Sequence, residues 1–254
     1  MILKLGILVA VAVLLNKRLV RIKALSTQPI FKLRNLSKHI KLPTQDISIL
    51  QNINLDINYG EILAIKGVSG VGKSTLLKIM SGIETATTGT LLFEGSDLTR
   101  LNAVQLSEYR LRKIGMVFQD FRLLEHLTVL ENVMLVCELQ GMEYEKCEQL
   151  AISVLEQVHM QARFNMYPKT LSGGERQRAA IARAWVTSPK VIMADEPTGQ
   201  LDRNSTKQIL KLIENINNSK GTAVIIATHD PLVVEICSRV VEIQDGAIVD
   251  EAND

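Results

Sequence analysis

The stretch Gly67 to Thr75, GVSGVGKST, fits the pattern G-x-x-x-x-G-K-S/T. It follows a short apolar run, EILAIKG, and precedes a run of helical character, TLLKIMSGI. That is the strand-to-helix setting in which such a loop cradles phosphate. The glycines let the backbone curl, so that successive N–H groups of Gly67, Val68, Ser69, Gly70, Val71, Gly72 and Thr75 point inward at phosphate oxygens, aided by the positive end of the helix. Lys73 supplies a mobile cation for the outer phosphates, and Ser74 offers a hydroxyl to Mg²⁺.

A phosphate-binding loop of this kind also needs a carboxylate for the metal. The run VIMADEP places Asp195 at the end of an apolar strand, with Glu196 directly after it. The two divide the work: Asp195 holds the metal, and Glu196 polarises an attacking water as general base. Two single polar residues gain meaning beside them. Gln119 ends the apolar strand of IGMVFQD, where it can sense the metal or the terminal phosphate. His229 follows the strand of AVIIATHDP, where a ring nitrogen can contact that phosphate. Alone, a glutamine there reads as a surface residue and a histidine as a structural cap.

These groups require elements to carry them. FKLRNL, ISILQNINLDI and GTLLFEG have the alternating, β-branched character of strands, while EILAIKG, KVIMAD and TAVIIAT read as short buried strands. VLENVMLVCEL, EKCEQLAISVLEQVHM and STKQILKLIENI carry apolar residues at helical spacing. Strands alternating with helices predict an α/β core.

With 254 residues and 46% hydrophobic content, the chain can bury a full core. Three cysteines without a CxxC pair suggest neither a disulfide framework nor a zinc site, which fits a reducing compartment. The formal charge of +2 is unevenly spread. Residues 1 to 45 hold nine Lys or Arg and no Asp or Glu, leaving 20 basic against 27 acidic residues beyond them. A basic start on an acidic body suits an anionic membrane surface as readily as nucleic acid. The segment Ile2 to Leu15 is almost wholly apolar but would span only about 21 Å as a helix, against a hydrocarbon core of about 30 Å. Three readings stand for the extension at 1–29: a membrane anchor or interfacial helix, an extension that does little, and a helix that docks on the core or a partner.

Taken together, GVSGVGKST, Gln119, LSGGERQ, VIMADE, TGQLD and His229 occur in an order and spacing that resembles the ATP-binding subunit of ABC transporters. The resemblance covers about Ile30 to Asp250. The finer wording, GMVFQDFRLL, LSGGERQRAAIARA and ADEPTGQLD, looks like the branch containing lipoprotein-release, macrolide-export and cell-division (FtsE-like) ATPases.

The resemblance implies an α/β fold: a P-loop NTPase core of ABC ATPase type, with an antiparallel β subdomain and an α-helical subdomain at about 97–170, inside a domain spanning 30–250 with a short tail at 251–254. It implies a head-to-tail dimer in which LSGGE of one subunit covers the ATP held by the P-loop of the other. Ser172 would donate a hydroxyl and Gly173 and Gly174 backbone N–H groups, with no Cβ to block the γ-phosphate. Glu175 and Asp202 join the nucleotide-contacting set, and Gly199, Leu201 and Asp202 would run along the dimer interface. Ser74, Gln119 and Asp195 would hold Mg²⁺. Transmembrane permease subunits, a second ATPase subunit and the cytoplasmic face of the inner or plasma membrane are the implied partners and place, with no role for nucleic acid. The sequence departs from the family where an aromatic side chain usually stacks on adenine: that position falls on Ile40, preceded by His39. The implied function is ATP hydrolysis that powers an exporter or lipoprotein-release system; the alternative is an FtsE-like ATPase driving a membrane complex in cell division or wall remodelling.

Overall fold

A computed structural model describes residues 29–41, 43 and 45–250. In chain order the elements are β1 (Phe31–Lys41), β2 (Asp46–Ile57), β3 (Ile62–Lys66), α1 (Lys73–Met80), β4 (Thr88–Phe93), β5 (Ser96–Asp97), α2 (Ala103–Lys113), β6 (Ile114–Val117), α3 (Val129–Leu139) and α4 (Tyr144–Gln157). They continue as α5 (Gly173–Trp185), β7 (Val191–Asp195), α6 (Arg203–Lys220), β8 (Ala223–Ala227), α7 (Pro231–Glu235), β9 (Arg239–Gln244) and β10 (Ala247–Asp250).

Two sheets result. The first is antiparallel, in the order β2-β1-β4-β5; the second has the order β10-β9-β3-β8-β7-β6 and is parallel except for the β9–β10 hairpin. The central strands are apolar without a break because both of their faces are covered. Along β7 and β8 successive side chains enter different cores. Ile192, Ala194, Val224 and Ile226 pack in a cluster with α3, α4, α5 and α6. Val191, Met193, Ala223, Ile225 and Ala227 pack in a second cluster with α1 and the antiparallel sheet. In that second cluster the rings of Phe31, Phe93 and Tyr109 stack in sequence at 5.0 Å spacings, and the Tyr109 hydroxyl donates to the Met80 carbonyl at 2.9 Å. That bond ties α2 to the end of α1.

The helices start where their caps put them. Thr128 and Ser172 form reciprocal capping boxes with Glu131 and Glu175, and α6 ends on Gly221 in the left-handed region at φ 63°. The segment that the resemblance implies to be helical, about 97 to 170, holds a strand as well as helices. Its β6 pairs with β7 in the parallel sheet, while Leu106 and Tyr109 of α2 join the core under the antiparallel sheet. The helices that form a layer with α5 are α3 and α4.

No helix among the described residues is long and apolar enough to cross a membrane. The apolar and basic run at 1–28, with the readings attached to it, lies outside the described residues, as does the tail at 251–254.

Candidate nucleotide site

The Gly67–Thr75 loop connects β3 to α1, as its pattern requires. Gly67, Gly70 and Gly72 have φ of 148°, 81° and 114°, a region that side chains disfavour. Space matters too at Gly67 and Gly72. A Cβ on Gly67 would stand 2.6 Å from the Ile243 carbonyl oxygen, and one on Gly72 would stand 2.9 Å from Leu50 Cδ2 and 3.0 Å from the Ile49 oxygen. The loop is thus packed from beneath by β2 and β9. It is open at its tip, where Val68 is 75% exposed and a Cβ on Gly70 would meet nothing within 4 Å.

Lys73, buried at the start of α1, donates from Nζ to the carbonyl oxygens of Gly67 at 2.8 Å and Val68 at 3.1 Å. Its ammonium is therefore held over the curled loop. Glu196 Oε1 lies 4.0 Å away. The next residue, Ser74, donates its hydroxyl to Asp195 Oδ1 at 2.8 Å, which joins α1 to the end of β7 across 121 residues. Burial pushes the Asp195 carboxyl above its ordinary range, with the Ser74 hydrogen bond opposing and the neighbouring Glu196 charge adding to the rise.

Glu196 sits just past β7 with φ 46°, a left-handed conformation rare for a residue with a side chain. Its N–H donates to the Ala227 carbonyl at 2.9 Å. Parallel pairing of Asp195 with Ala227 brings the ends of β7 and β8 side by side, and so brings His229 to Glu196: Nδ1 is 2.8 Å from Oε1. The Thr228 hydroxyl reaches Glu196 Oε2 at 3.4 Å. An ionised Glu196 accepts from Nδ1–H, which fixes the ring tautomer and leaves Nε2 for another partner. Gln119 is exposed beyond β6. A Cβ placed on Gly199 would lie 3.5 Å from Gln119 Nε2 and 3.7 Å from Glu196 Cβ, so the glutamine stands beside the Glu196 turn and forms no hydrogen bond with Ser74 or Asp195.

Three residues that the motif analysis left without a role hold this corner. Thr198 donates to Asp230 at 2.8 Å, Asp230 N–H donates to the Thr228 hydroxyl at 3.0 Å, and buried Gln177 donates to the Pro197 carbonyl at 2.7 Å. Gln177 was within reach of sequence reasoning, as the last residue of LSGGERQ. The Thr198–Asp230 pair spans 32 residues and carries no local signal.

The LSGGE segment starts α5. Ser172 Oγ accepts from Glu175 N–H at 3.3 Å, and Glu175 returns the bond to Ser172 N–H at 2.8 Å. The Ser172 hydroxyl proton and the N–H of Gly173 stay at an exposed helix start. Arg163 donates to Glu175 at 2.7 Å and, with the Ser172 N–H, holds its carboxyl down at about 2. The two glycines differ in their surroundings. A Cβ on Gly173 would meet only ordinary contacts, the nearest at 3.5 Å, whereas on Gly174 it would stand 2.8 Å from Ser205 Oγ. Packing of α5 against α6 is thus a sufficient reason for the second glycine. Asp202 is occupied likewise: its carboxylate caps α6, accepting from Asn204 N–H, Ser205 N–H and the Ser205 hydroxyl at 2.9, 3.0 and 2.6 Å. Those bonds hold it below the usual carboxylate range.

At the far end of β1, His39 is exposed and Ile40 is 42% exposed, paired with Ile47 on β2. An apolar edge, without an aromatic ring, stands at that end of the hairpin.

The residues fit the groups that the loop implies. A loop with left-handed glycines, an open tip and a nearly buried ammonium suits a polyphosphate. A serine hydroxyl bonded to a buried carboxylate is a hard-oxygen pair of the kind Mg²⁺ takes, and a cation there would relieve the burial that raises Asp195.

Residues 50–199 match the family model described as ABC transporter. The chain belongs to this family. It is 43% identical over 223 residues to the uncharacterized ABC transporter ATP-binding protein YvrO of Bacillus subtilis, covering 87% of this chain and 97% of that one. It is 38% identical over 223 residues to the lipoprotein-releasing system ATP-binding protein LolD of Alcanivorax borkumensis, covering 88% and 98%. The methionine import ATP-binding protein MetN of Mannheimia succiniciproducens is 40% identical over 87% of this chain, which spans 64% of MetN's length. Among solved structures, the dimeric bacterial ABC transporter cassette MJ0796 superposes with a TM-score of 0.81 at 36% identity, over 86% of this chain and 96% of that one. A post-hydrolysis dimer of the same cassette, bound to ADP and Pi, superposes equally well. This chain therefore carries an ABC ATPase fold.

Proposed function

We propose that this chain hydrolyses ATP as one half of a head-to-tail dimer and that the cycle of closing and opening powers membrane-spanning partner subunits. One observation carries the reading: Glu196 is held between His229 and Lys73, at 2.8 and 4.0 Å, while the exposed turn at Ser172 and Gly173 is built like a second phosphate cradle on the same chain. The turn has a serine hydroxyl and helix N-terminal N–H groups but no lysine, so it complements a phosphate already neutralised elsewhere.

In this reading the loop at 67–75 and Lys73 bind the phosphates, Glu196 takes the proton of the attacking water, and His229 keeps that carboxylate in place. Ser74 and Asp195, with Gln119 swinging in, would hold Mg²⁺, which supplies charge neutralisation at the β- and γ-phosphates. Ser172, Gly173 and the Gly199–Asp202 loop of one copy face the nucleotide of the other. The γ-phosphate bridges the two surfaces, and its removal weakens the dimer. The α3–α4 layer and the loop after Gln119 meet the permease subunits, at the cytoplasmic face of the membrane. The dimeric form of the similar MJ0796 cassette and its ADP and Pi state support this cycle.

For the transported class we favour export or lipoprotein release, supported by the likeness to LolD over 98% of that protein's length. Similarity to MetN, named for methionine import, makes import the outcome to test against. The experiment is co-purification from detergent extract followed by ATPase assay with the captured permease. A multi-spanning partner that stimulates hydrolysis is expected, and its own fold assigns the direction; ribosomes or DNA in its place would overturn the reading.

A further inference from the structure

The phosphate loop ends against the β1–β2 hairpin. A Cβ on Gly72 would meet the Ile49 carbonyl oxygen at 3.0 Å and Ile49 Cγ2 at 3.4 Å, so the face of β2 that carries Ile49 is turned toward the start of α1. Alternation along the strand puts Ile47 on that same face, about 7 Å further out at the antiparallel rise. Ile40 is its direct partner on β1, and directly opposed residues share a face. The two isoleucines, Ile40 at 42% and Ile47 at 40% exposure, form an apolar ledge that leads away from the loop. The flanking pairs, His39 with Ser48 and Lys41 with Asp46, carry polar side chains, and alternation turns those to the opposite face. The hairpin is fixed on both edges: His39 N–H donates to Thr87 Oγ1 at 3.0 Å, and Gln51 N–H donates to the Gly246 carbonyl at 2.7 Å.

In the parallel sheet β3 runs between β8 and β9. Glu196 and His229 follow β7 and β8 on one side of the loop, whereas β9 and, through the Gln51–Gly246 bond, β2 lie on the other. Given that the loop at 67–75 holds the phosphates of a nucleotide, as proposed for its function, the terminal phosphate sits at the Glu196 side and the nucleoside extends toward the ledge. Bases differ in the donors and acceptors on their edges, and all of them have a flat face. A site that hydrogen-bonds an edge rejects the wrong partner by orders of magnitude, whereas an apolar surface discriminates weakly. We propose that the base rests on Ile40 and Ile47 and is held by its face alone, so that the site takes guanine and pyrimidine nucleotides about as readily as adenine nucleotides. Ile40 sets this choice, because its side chain covers any base face and reads no edge.

ADP, GDP, UDP and inorganic tripolyphosphate are titrated into the full-length protein with Mg²⁺, and the heat is followed by calorimetry. The three nucleotides are expected to bind within about threefold of one another. Ile40→Tyr places an aromatic ring at an exposed strand position that accepts one. It should tighten ADP and GDP about tenfold and UDP less, and leave tripolyphosphate unchanged. A wild-type preference for ADP of more than tenfold over both other nucleotides overturns the proposal, because some other group then reads the base. So does an Ile40→Tyr variant whose nucleotide affinities do not move, because the base then lies elsewhere. With tripolyphosphate bound by the wild type and not by Lys73→Ala, either of those results rejects the ledge alone. Tripolyphosphate that binds neither protein rejects the phosphate site and the ledge together.

Discussion

Glu196 Oε1 and His229 Nδ1 are 2.8 Å apart although 33 residues separate them, and the contact exists because β7 and β8 end level with one another. His229→Ala removes that brace while leaving the phosphate loop intact. Turnover should fall by about 100-fold or more with nucleotide affinity within a factor of a few, measured by phosphate release and calorimetry. An unchanged rate would detach His229 from the hydrolytic step.

Glu196→Gln keeps the shape of the side chain and removes its basicity. It should bind ATP normally, hydrolyse it at least 100-fold more slowly, and accumulate as a dimer by size-exclusion chromatography with light scattering. A variant that stays monomeric with ATP at every concentration argues against the bridging phosphate.

Lys73 is the one cation hydrogen-bonded over the loop by the carbonyls of Gly67 and Val68 among the described residues. Lys73→Ala should weaken nucleotide binding at least tenfold, about 1.4 kcal/mol, by calorimetry. Ser172→Arg should behave differently: binding to the monomer stays within a factor of two, ATP-driven dimerisation is lost, and the missing cap costs about 1 kcal/mol in urea unfolding.

Glu175 supplies a pH test. Its folded carboxyl titrates at about 2, mainly because of Arg163 and then the Ser172 N–H, against about 4.3 when unfolded. A depressed folded value contributes stability that is fully present above the unfolded value and lost as pH falls toward 2. Arg163→Ala should therefore destabilise the protein near neutral pH, by no more than about 1 kcal/mol since the pair is partly exposed. The two stability curves should converge near pH 2; a constant gap would assign the loss to packing.

Gly174→Ala separates packing from phosphate contact. The added methyl would push on Ser205, which holds the Asp202 cap, and should cost about 1–3 kcal/mol in urea unfolding. Gly173→Ala, with room for a methyl, should keep stability and lose dimerisation; equal stability losses would refute the distinction.

Much of this was legible in the chain because it is local. The phosphate loop announces itself by spacing, and the buried strands by unbroken apolar runs such as VIMAD and AVIIA. The helix α2 and the hairpin β9–β10 were not marked, since their few buried residues, Leu106 and Tyr109 under the antiparallel sheet and Val241 and Ile243 against the core, gain apolar partners only in the fold. For the same reason the sequence could place His229 near a phosphate but not on Glu196. Asp202 reads from its motif as a nucleotide contact, yet its oxygens cap a helix: the sequence shows that a carboxylate is present, and only the fold shows which protons reach it first. Gly174 teaches the same lesson, because the space it leaves is taken by a serine from 31 positions away.

Arg183, in the last turn of α5, donates to the carbonyl oxygens of Phe121 at 3.0 Å and Arg122 at 2.6 Å, and those two residues sit at φ 59° and 48°. Hydrogen bonds to a charged group contribute about 1.5–3 kcal/mol each. The loop behind Gln119 is therefore riveted to one end of a stiff rod about 20 Å long whose other end is Ser172. Whatever tugs that loop sideways swings the far tip through an arc, as a hand on a short lever moves its distant point.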